Sequence, residues 1–472
     1  MIDRLDPHWL APLGLLGAAC GPSPPTAGGT GTATSGPDDP TDPTDPTADP
    51  TTDLCAETYC GYCGDCIDGQ CIYDDECCYY DYLRGGRACE PPSGCDSGCN
   101  YGYICQDDLC TPPPKPAPLP ACKPAPADIS QWNLGATPGA FVLADLDGDL
   151  DLDLLAAQPI PAQVELAFND GAGGFTPGTV IPVAGALPEP ALAAGDLDGD
   201  GDLDLALAPG DGGGLVLIFD NDGVHLPAPP IAAPNGADAV FIADVSVDGA
   251  LDVVTLNLGK PRISVFLGDG KGGLAAEKTT NGAALTAGGS LVDLDVDKFP
   301  DLLAPHADDP TRVQIFGGGG NGSFAATDSL FKTGVDPVRR ALAADLGGTA
   351  DLELVALGSD PETGLAWVWP ATAPETWTEP ATLTPTSSPL LGGTLTDLGP
   401  DGVVDLVATT GLATVAVLRG DGAGGFGCEQ VFAVAAPTDR DLLAVGDVDG
   451  DAHPDIVVGS RDGATITVIR AP

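Results

Sequence analysis

One acidic motif recurs seven times along this chain at a spacing close to fifty residues, and that period excludes most folds. The leading acids are Asp145, Asp196, Asp244, Asp293, Asp345, Asp397 and Asp447, separated by 51, 48, 49, 52, 52 and 50 residues. A fixed period of this length means one supersecondary unit per copy, each burying against its neighbours a face it cannot bury alone. Every copy has the same grammar: an apolar strand, the acidic loop, a second apolar strand, and a third strand such as VELAFN or TVAVLRG. A Gly-rich turn follows (NDGAGGF, GDGKGGL, GGGNGSF, GDGAGGF), then a fourth, less regular strand. Short apolar runs cut by Gly and Asp are strands and turns. Four strands per unit, seven times over, predict an all-β, seven-bladed β-propeller across residues 127–472.

The ends of this region predict how the ring closes. The last copy stops at its third strand, ITVIRAP, while ISQWNL, around Trp132, precedes the first copy where a fourth strand would sit. The N-terminal strand is therefore expected to complete blade seven, which removes an open sheet edge. Cys122 and Cys428 fall at nearly equivalent places on adjacent blades and are expected to be bonded.

The acidic loops have the chemistry of a cation site. With the first Asp as position 1, side-chain oxygens recur at positions 1, 3, 5 and 9, which turns successive carboxylates inward. Calcium takes six to eight hard oxygen ligands, with a backbone carbonyl near position 7 and water completing the shell. The full set is Asp145, Asp147, Asp149 and Asp153 in loop one, and Asp196, Asp198, Asp200 and Asp204 in loop two. Loop four has Asp293, Asp295, Asp297 and Asp301, and loop seven has Asp447, Asp449, Asp451 and Asp455. Loop three places Ser246 among Asp244, Asp248 and Asp252, and loop six keeps Asp397, Asp401 and Asp405 around Gly399. Loop five, with Gly347, Thr349 and Glu353, is expected to have lost the ion. Helix-flanked calcium loops are excluded, because the flanks are strands and no Glu stands at position twelve.

Composition narrows the partners. The chain carries 69 acidic and 18 basic residues, a formal net charge of −51. That argues against nucleic acid, whose phosphates need Lys and Arg, and against docking on an anionic membrane face. Charged residues make up 18% and hydrophobic ones 43%, so this is no disordered acidic tail.

Ahead of the repeats the chain changes character. Residues 9–19 form an apolar stretch too short to span a bilayer and end in small residues before Cys20, which reads as a secretory signal over 1–19. Leu-Gly-Ala-Ala-Cys resembles a bacterial lipoprotein cleavage site and implies Cys20 as the lipidated residue. Residues 20–54, rich in Pro, Thr and Asp, are expected to be a disordered stalk. Twelve cysteines between Cys55 and Cys110 predict a small disulfide-rich module, followed by a Pro-rich linker over 111–126.

The D-x-D-x-D-x-x-x-D loops and Gly-Gly-Phe turns resemble the FG-GAP and VCBS repeats of integrin α-chain propellers and many bacterial surface proteins. The resemblance implies loop ions, Ca2+, that are chiefly structural, and roles in adhesion, sugar binding or assembly. The function expected from it is a cell-surface binding or adhesion module contacting a surface protein or a glycan, held to the membrane only by its lipid anchor. A lectin is the alternative, with Trp367, Trp369 and Trp377 in blade five as the aromatic candidates. Catalysis is not expected: no nucleophile elbow, phosphate loop or H-E-x-x-H is present. Arg419-Gly420-Asp421 spells an integrin-recognition tripeptide, but it lies in the repeat's own Gly-rich turn.

Overall fold

The computed structural model describes residues 117–123 and, with short gaps, 128–470, together with two strand pairs, Gly64–Ile67 with Gln70–Tyr73 and Ile104–Gln106 with Leu109–Thr111. The expected signal, lipidated Cys20 and stalk lie outside the described residues. The proposed disulfide-rich module does too, apart from the backbone of those two pairs.

Seven four-stranded antiparallel sheets follow one another, as the period requires. Blade one runs Ala140–Ala144, Asp153–Gln158, Gln163–Asn169 and Phe175–Pro182. Blades two to six occupy 191–227, 239–281, 290–331, 338–386 and 392–433 in the same order of strands. Blade seven takes Leu443–Gly446, Asp455–Gly459 and Thr465–Arg470 from the end of the repeats and Asp128–Asn133 as its outer strand. That strand pairs from Thr465↔Asn133 to Arg470↔Asp128, so the ring closes as expected, by joining the two ends of the propeller region.

The hydrophobic core lies between the blades. Among the described residues the buried apolar side chains form seven clusters, one at each junction of adjacent blades. A blade packed on both faces needs strands that are apolar throughout, which explains the uninterrupted runs in the second strands. Asp153–Gln158, Asp204–Ala208 and Asp301–Pro305 are buried at every residue. Fully burying a Leu or Val contributes roughly 1.5–3 kcal/mol. Trp367 and Trp369 share one face of their strand and fill the junction of blades four and five, both fully buried.

Within the stretch read as a linker, residues 117–123 form a strap. Ala121 pairs in parallel with Glu429 on the outer strand of blade six, and the Leu119 amide donates to the Pro385 carbonyl of blade five. Cys122 is disulfide-bonded to Cys428, as expected from their places in the repeat. The Glu429 carboxylate then accepts from the amide and hydroxyl of Ser387, so strap, blade six and blade five are joined at one point.

The disulfide links positions 306 residues apart. Replacing both Cys122 and Cys428 with serine is expected to cost about 2–4 kcal/mol, because the unfolded chain regains the freedom the bond denied it. Chemical denaturation of the variant against the parent measures this; an unchanged midpoint would show that the strap's hydrogen bonds suffice alone.

Candidate metal centre

The seven loops share a backbone path, and their first and ninth acids set it. The first carboxylate folds the loop on itself. Asp145 accepts from the amides of Gly148 and Leu150 at 2.9 and 3.0 Å, and Asp196 from Gly199 and Gly201 at 2.6 and 3.2 Å. Asp345 does the same with Thr349 and Ala350, although loop five has no acid at positions 3 or 5.

The ninth acid ties the loop to the sheet. One oxygen accepts from the amide of the second loop residue: Leu146 to Asp153 at 2.9 Å, Leu294 to Asp301 at 2.8 Å, Leu346 to Glu353 at 2.7 Å. The other accepts from the amide at the end of the third strand: Asn169 to Asp153, Gly268 to Asp252, Gly318 to Asp301 and Gly420 to Asp405, at 2.7–2.8 Å. The second residue itself, Leu146, Leu197, Leu294, Leu346 or Leu398, is buried in an interblade cluster. A buried acid with such partners avoids the penalty of an unsatisfied buried group. Positions 1 and 9 therefore have a structural task that is independent of any ion.

The third-position acids accept only from the amide two residues on, where one is found, and they gather with other loop carboxylates around a common point. Oxygens of Asp145, Asp147 and Asp153 all lie within 4.8 Å of one another, as do those of Asp196, Asp198 and Asp204, and of Asp447, Asp449 and Asp455. In loop four the trio is Asp293, Asp295 and Asp297. Ligands on opposite sides of an ion at 2.3–2.6 Å are at most about 5 Å apart, so each trio fits inside one coordination shell. The donors are all hard carboxylate oxygens, the set that suits calcium, magnesium or manganese. Asp149, Asp200 and Asp451, expected in the same shell, stand outside these trios, as does Asp301. Each of the fifth-position acids instead accepts from an amide two residues on, as Asp149 does from Asp151 and Asp451 from His453. Asp244, Asp248 and Asp252 of loop three and Asp397, Asp401 and Asp405 of loop six form no such trio among the described residues.

Burial, reinforced by the clustering, raises carboxyl pKa values here. Burial, then the neighbouring charge of Asp149, pushes Asp147 up; burial and Asp200 do the same to Asp198. Burial outweighs its two backbone hydrogen bonds at Asp153 and pushes it up to about 6. A cation in each trio would relieve both effects.

The Gly-rich turns lie beside the loops of the preceding blade. The Gly272 amide donates to the Leu197 carbonyl, that of Gly322 to Val245, and the Asn169 side chain to Val448. Glycine is required at Gly199, whose φ is +77° and where a Cβ would meet the Gly270 carbonyl oxygen at 2.9 Å.

Two arginines absent from the sequence-based site extend it. Both occupy the residue that follows the last third-strand residue paired to the second strand, Leu418 in blade six and Ile469 in blade seven. Arg419 Nη1 donates to Asp405 Oδ2 at 2.7 Å. Arg470 lies 3.4 Å from Asp449 and 3.5 Å from Asp128, and donates to the carbonyls of Ala172 and Gly173 in blade one, so it also holds the ring closure. Their shared place in the repeat was the available signal.

Left-handed backbone recurs at positions 4 and 6, filled by Gly148, Gly199, Gly201 and Gly450 but also by Leu150, Val247, Val296 and Lys298. Leu150, 88% exposed, packs on little. Leu150→Gly is therefore expected to stabilise by about 0.5–1 kcal/mol, the relief of left-handed strain less the extra entropy of glycine; a lower melting temperature would refute the strain. A second expectation concerns pH. Asp153 has a folded pKa raised from 3.8 to about 6, so its ionisation opposes folding and metal-free stability at this group falls as pH rises between those values. A divalent cation binds the ionised form, so the stabilisation it adds should be larger at pH 7 than at pH 5. Melting with and without chelator at both values tests this; equal increments would contradict it.

Residues 145–207 and 196–255 match the FG-GAP-like repeat. No curated protein matches the chain. Among solved structures, a crystal structure of BBS1N in complex with ARL6DN, soaked with lead, aligns with TM-score 0.51 at 11% identity over 76% of this chain and 98% of that one. Chaetomium thermophilum Raptor aligns with TM-score 0.46 at 13% identity, covering 72% and 28%. A protein from Lactobacillus plantarum aligns with TM-score 0.45 at 16% identity, covering 64% and 87%. The chain carries FG-GAP-like repeats on a seven-bladed β-propeller.

Proposed function

We propose that this protein is a non-catalytic, calcium-stabilised binding module, exported and lipid-anchored through Cys20, that presents its propeller to a protein partner at the cell surface. The observation that carries this reading is the set of four oxygen-only carboxylate trios, Asp145/Asp147/Asp153, Asp196/Asp198/Asp204, Asp293/Asp295/Asp297 and Asp447/Asp449/Asp455, on a closed and rigid ring. Loops held on such a scaffold are the usual place for recognition. Calcium is favoured over magnesium because irregular loops supply flexible, high-coordination shells more readily than an ideal octahedron.

A protein partner is favoured over a glycan by the fate of the indoles. Trp367 and Trp369 are fully buried, and Trp377 packs against the same cluster while donating its indole N–H to the Leu352 carbonyl. Trp367 and Trp369 have no face to offer a sugar, and half-buried Trp377 is held against the same core. The tripeptide at Arg419–Asp421 is likewise engaged: Arg419 is paired with Asp405, and Asp421 accepts from the amides of Ala423 and Gly425.

Two measurements test the reading. An ion held at about one hundred times its Kd stabilises by about 2.7 kcal/mol. Calcium should therefore raise the melting temperature, and Asp198→Asn should shrink that rise; no calcium-dependent shift would remove the metal from the proposal. A glycan array in millimolar calcium, with a chelated duplicate, is expected to show no defined specificity. Calcium-dependent binding to one sugar class would establish the lectin instead.

A further inference from the structure

The geometry points to Arg419 as the resident cation of loop six: its guanidinium stands in for a metal ion there, so that blade six keeps the loop without needing calcium. The inference rests on the calcium reading of the other loops for its contrast, but the contact itself does not.

Loop six retains the structural half of the motif. Asp397 folds the loop by accepting from the amides of Gly399 and Gly402 at 3.0 Å, and Asp405 accepts from Leu398 and Gly420. What it lacks is the third-position carboxylate, replaced by Gly399. The space that carboxylate would enter is next to Arg419: a Cβ built on Gly399 would lie 3.9 Å from Arg419 Nη1 and 3.5 Å from the Asp401 carboxylate. The same guanidinium reaches the ninth-position acid, Asp405, at 2.7 Å. A divalent ion and an arginine head on that acid are mutually exclusive by charge and by volume, and the residues of loop six do not fit the ion.

Other blades show what is special here. The equivalent of Arg419 is Phe168 in blade one, Leu267 in blade three and Gly317 in blade four, none of which carries charge. Blade seven has Arg470 at this place, but it turns to the third-position Asp449 and to blade one, and Asp447, Asp449 and Asp455 stay clustered. Only in blade six does a cation at this place on the third strand coincide with loss of the third-position acid. Arginine suits the exchange because its planar head is permanently charged and can hold a carboxylate at short range without a hydration shell.

The sector this creates is the one that is stapled. Loop five has also lost positions 3 and 5, and its longer Glu353 approaches Gly347 and the Gly424 turn of blade six. Blades five and six are the two blades joined by the strap, through Leu119 to Pro385, Cys122 to Cys428, and Glu429 to Ser387. The metal-independent part of the ring is thus the part that the 117–123 strap holds.

Hydrogen–deuterium exchange read loop by loop on the full chain, with calcium and with EGTA, tests this. With calcium at about ten times its Kd, exchange in 145–153, 196–204, 293–301 and 447–455 should slow on the order of tenfold relative to EGTA, while 397–405 should not respond. Arg419→Ala should speed exchange of 397–405 equally in calcium and in EGTA. Gly399→Asp combined with Arg419→Ala should restore protection of 397–405 in calcium alone. The inference is overturned if calcium protects 397–405 in the parent as it does the other loops, or if Arg419→Ala leaves that loop's exchange unchanged. If no loop responds to calcium the metal reading of the ring fails, and the EGTA comparison of the parent with Arg419→Ala still decides the role of the arginine.

Discussion

Everything on the loop face depends on a carboxylate buried at the ninth position of each repeat. Asp153, Asp252, Asp301 and Asp405 each bind two amides from different segments, one at the second loop residue and one at the end of the third strand. Those amides would otherwise be buried without a partner. The acid thereby fixes where the loop leaves the sheet, drives the second residue into the interblade core, and aims the first and third carboxylates at a common point. Its substitution by Glu353 keeps the amide bond to Leu346, which is why blade five retains the loop path after losing the acids within it.

The blades are equal in architecture and unequal in chemistry. Four loops assemble carboxylate trios, while loops five and six have traded acids for Gly and Thr. Burial first, and then repulsion from the crowded neighbouring carboxylates, pushes Asp147, Asp198 and Asp295 above the usual carboxylate range. Such loops hold best with a cation present. On the proposed reading, stability of the ring is divided between an arc that depends on calcium and a sector that depends on covalent and internal ionic contacts.

That division bears on how the molecule would meet a partner. The interblade packing is rigid and apolar, with second strands buried end to end, so the loops move little relative to one another. The excess of acid over base, 69 against 18, is drawn in part into these loops, where bound cations would locally cancel it. Recognition on this face would then depend on calcium through charge as well as through loop order.

The fold was legible in the sequence because a period near fifty with a strand–loop–strand grammar admits few closed arrangements, and the split of blade seven followed from counting strands at both ends. The pairing of Cys122 with Cys428 was legible for the same reason, since repeats convert sequence position into place on the ring. Loop spacing likewise located the acids, but it could not rank them. Side chains at positions 1, 3, 5 and 9 look alike in a one-dimensional pattern, whereas the tertiary structure separates 9, which is buried and bonds amides of both the loop and the third strand, from 3, which meets other carboxylates and accepts only from the amide two residues on. Arg419, Arg470 and the strap at 117–123 were decided only in three dimensions. Arg419 meets Asp405, 14 residues away, once the second and third strands of its own blade pair; Arg470 and the strap reach partners 298 and 306 residues away, which become neighbours only once the blades are stacked and the ring is shut.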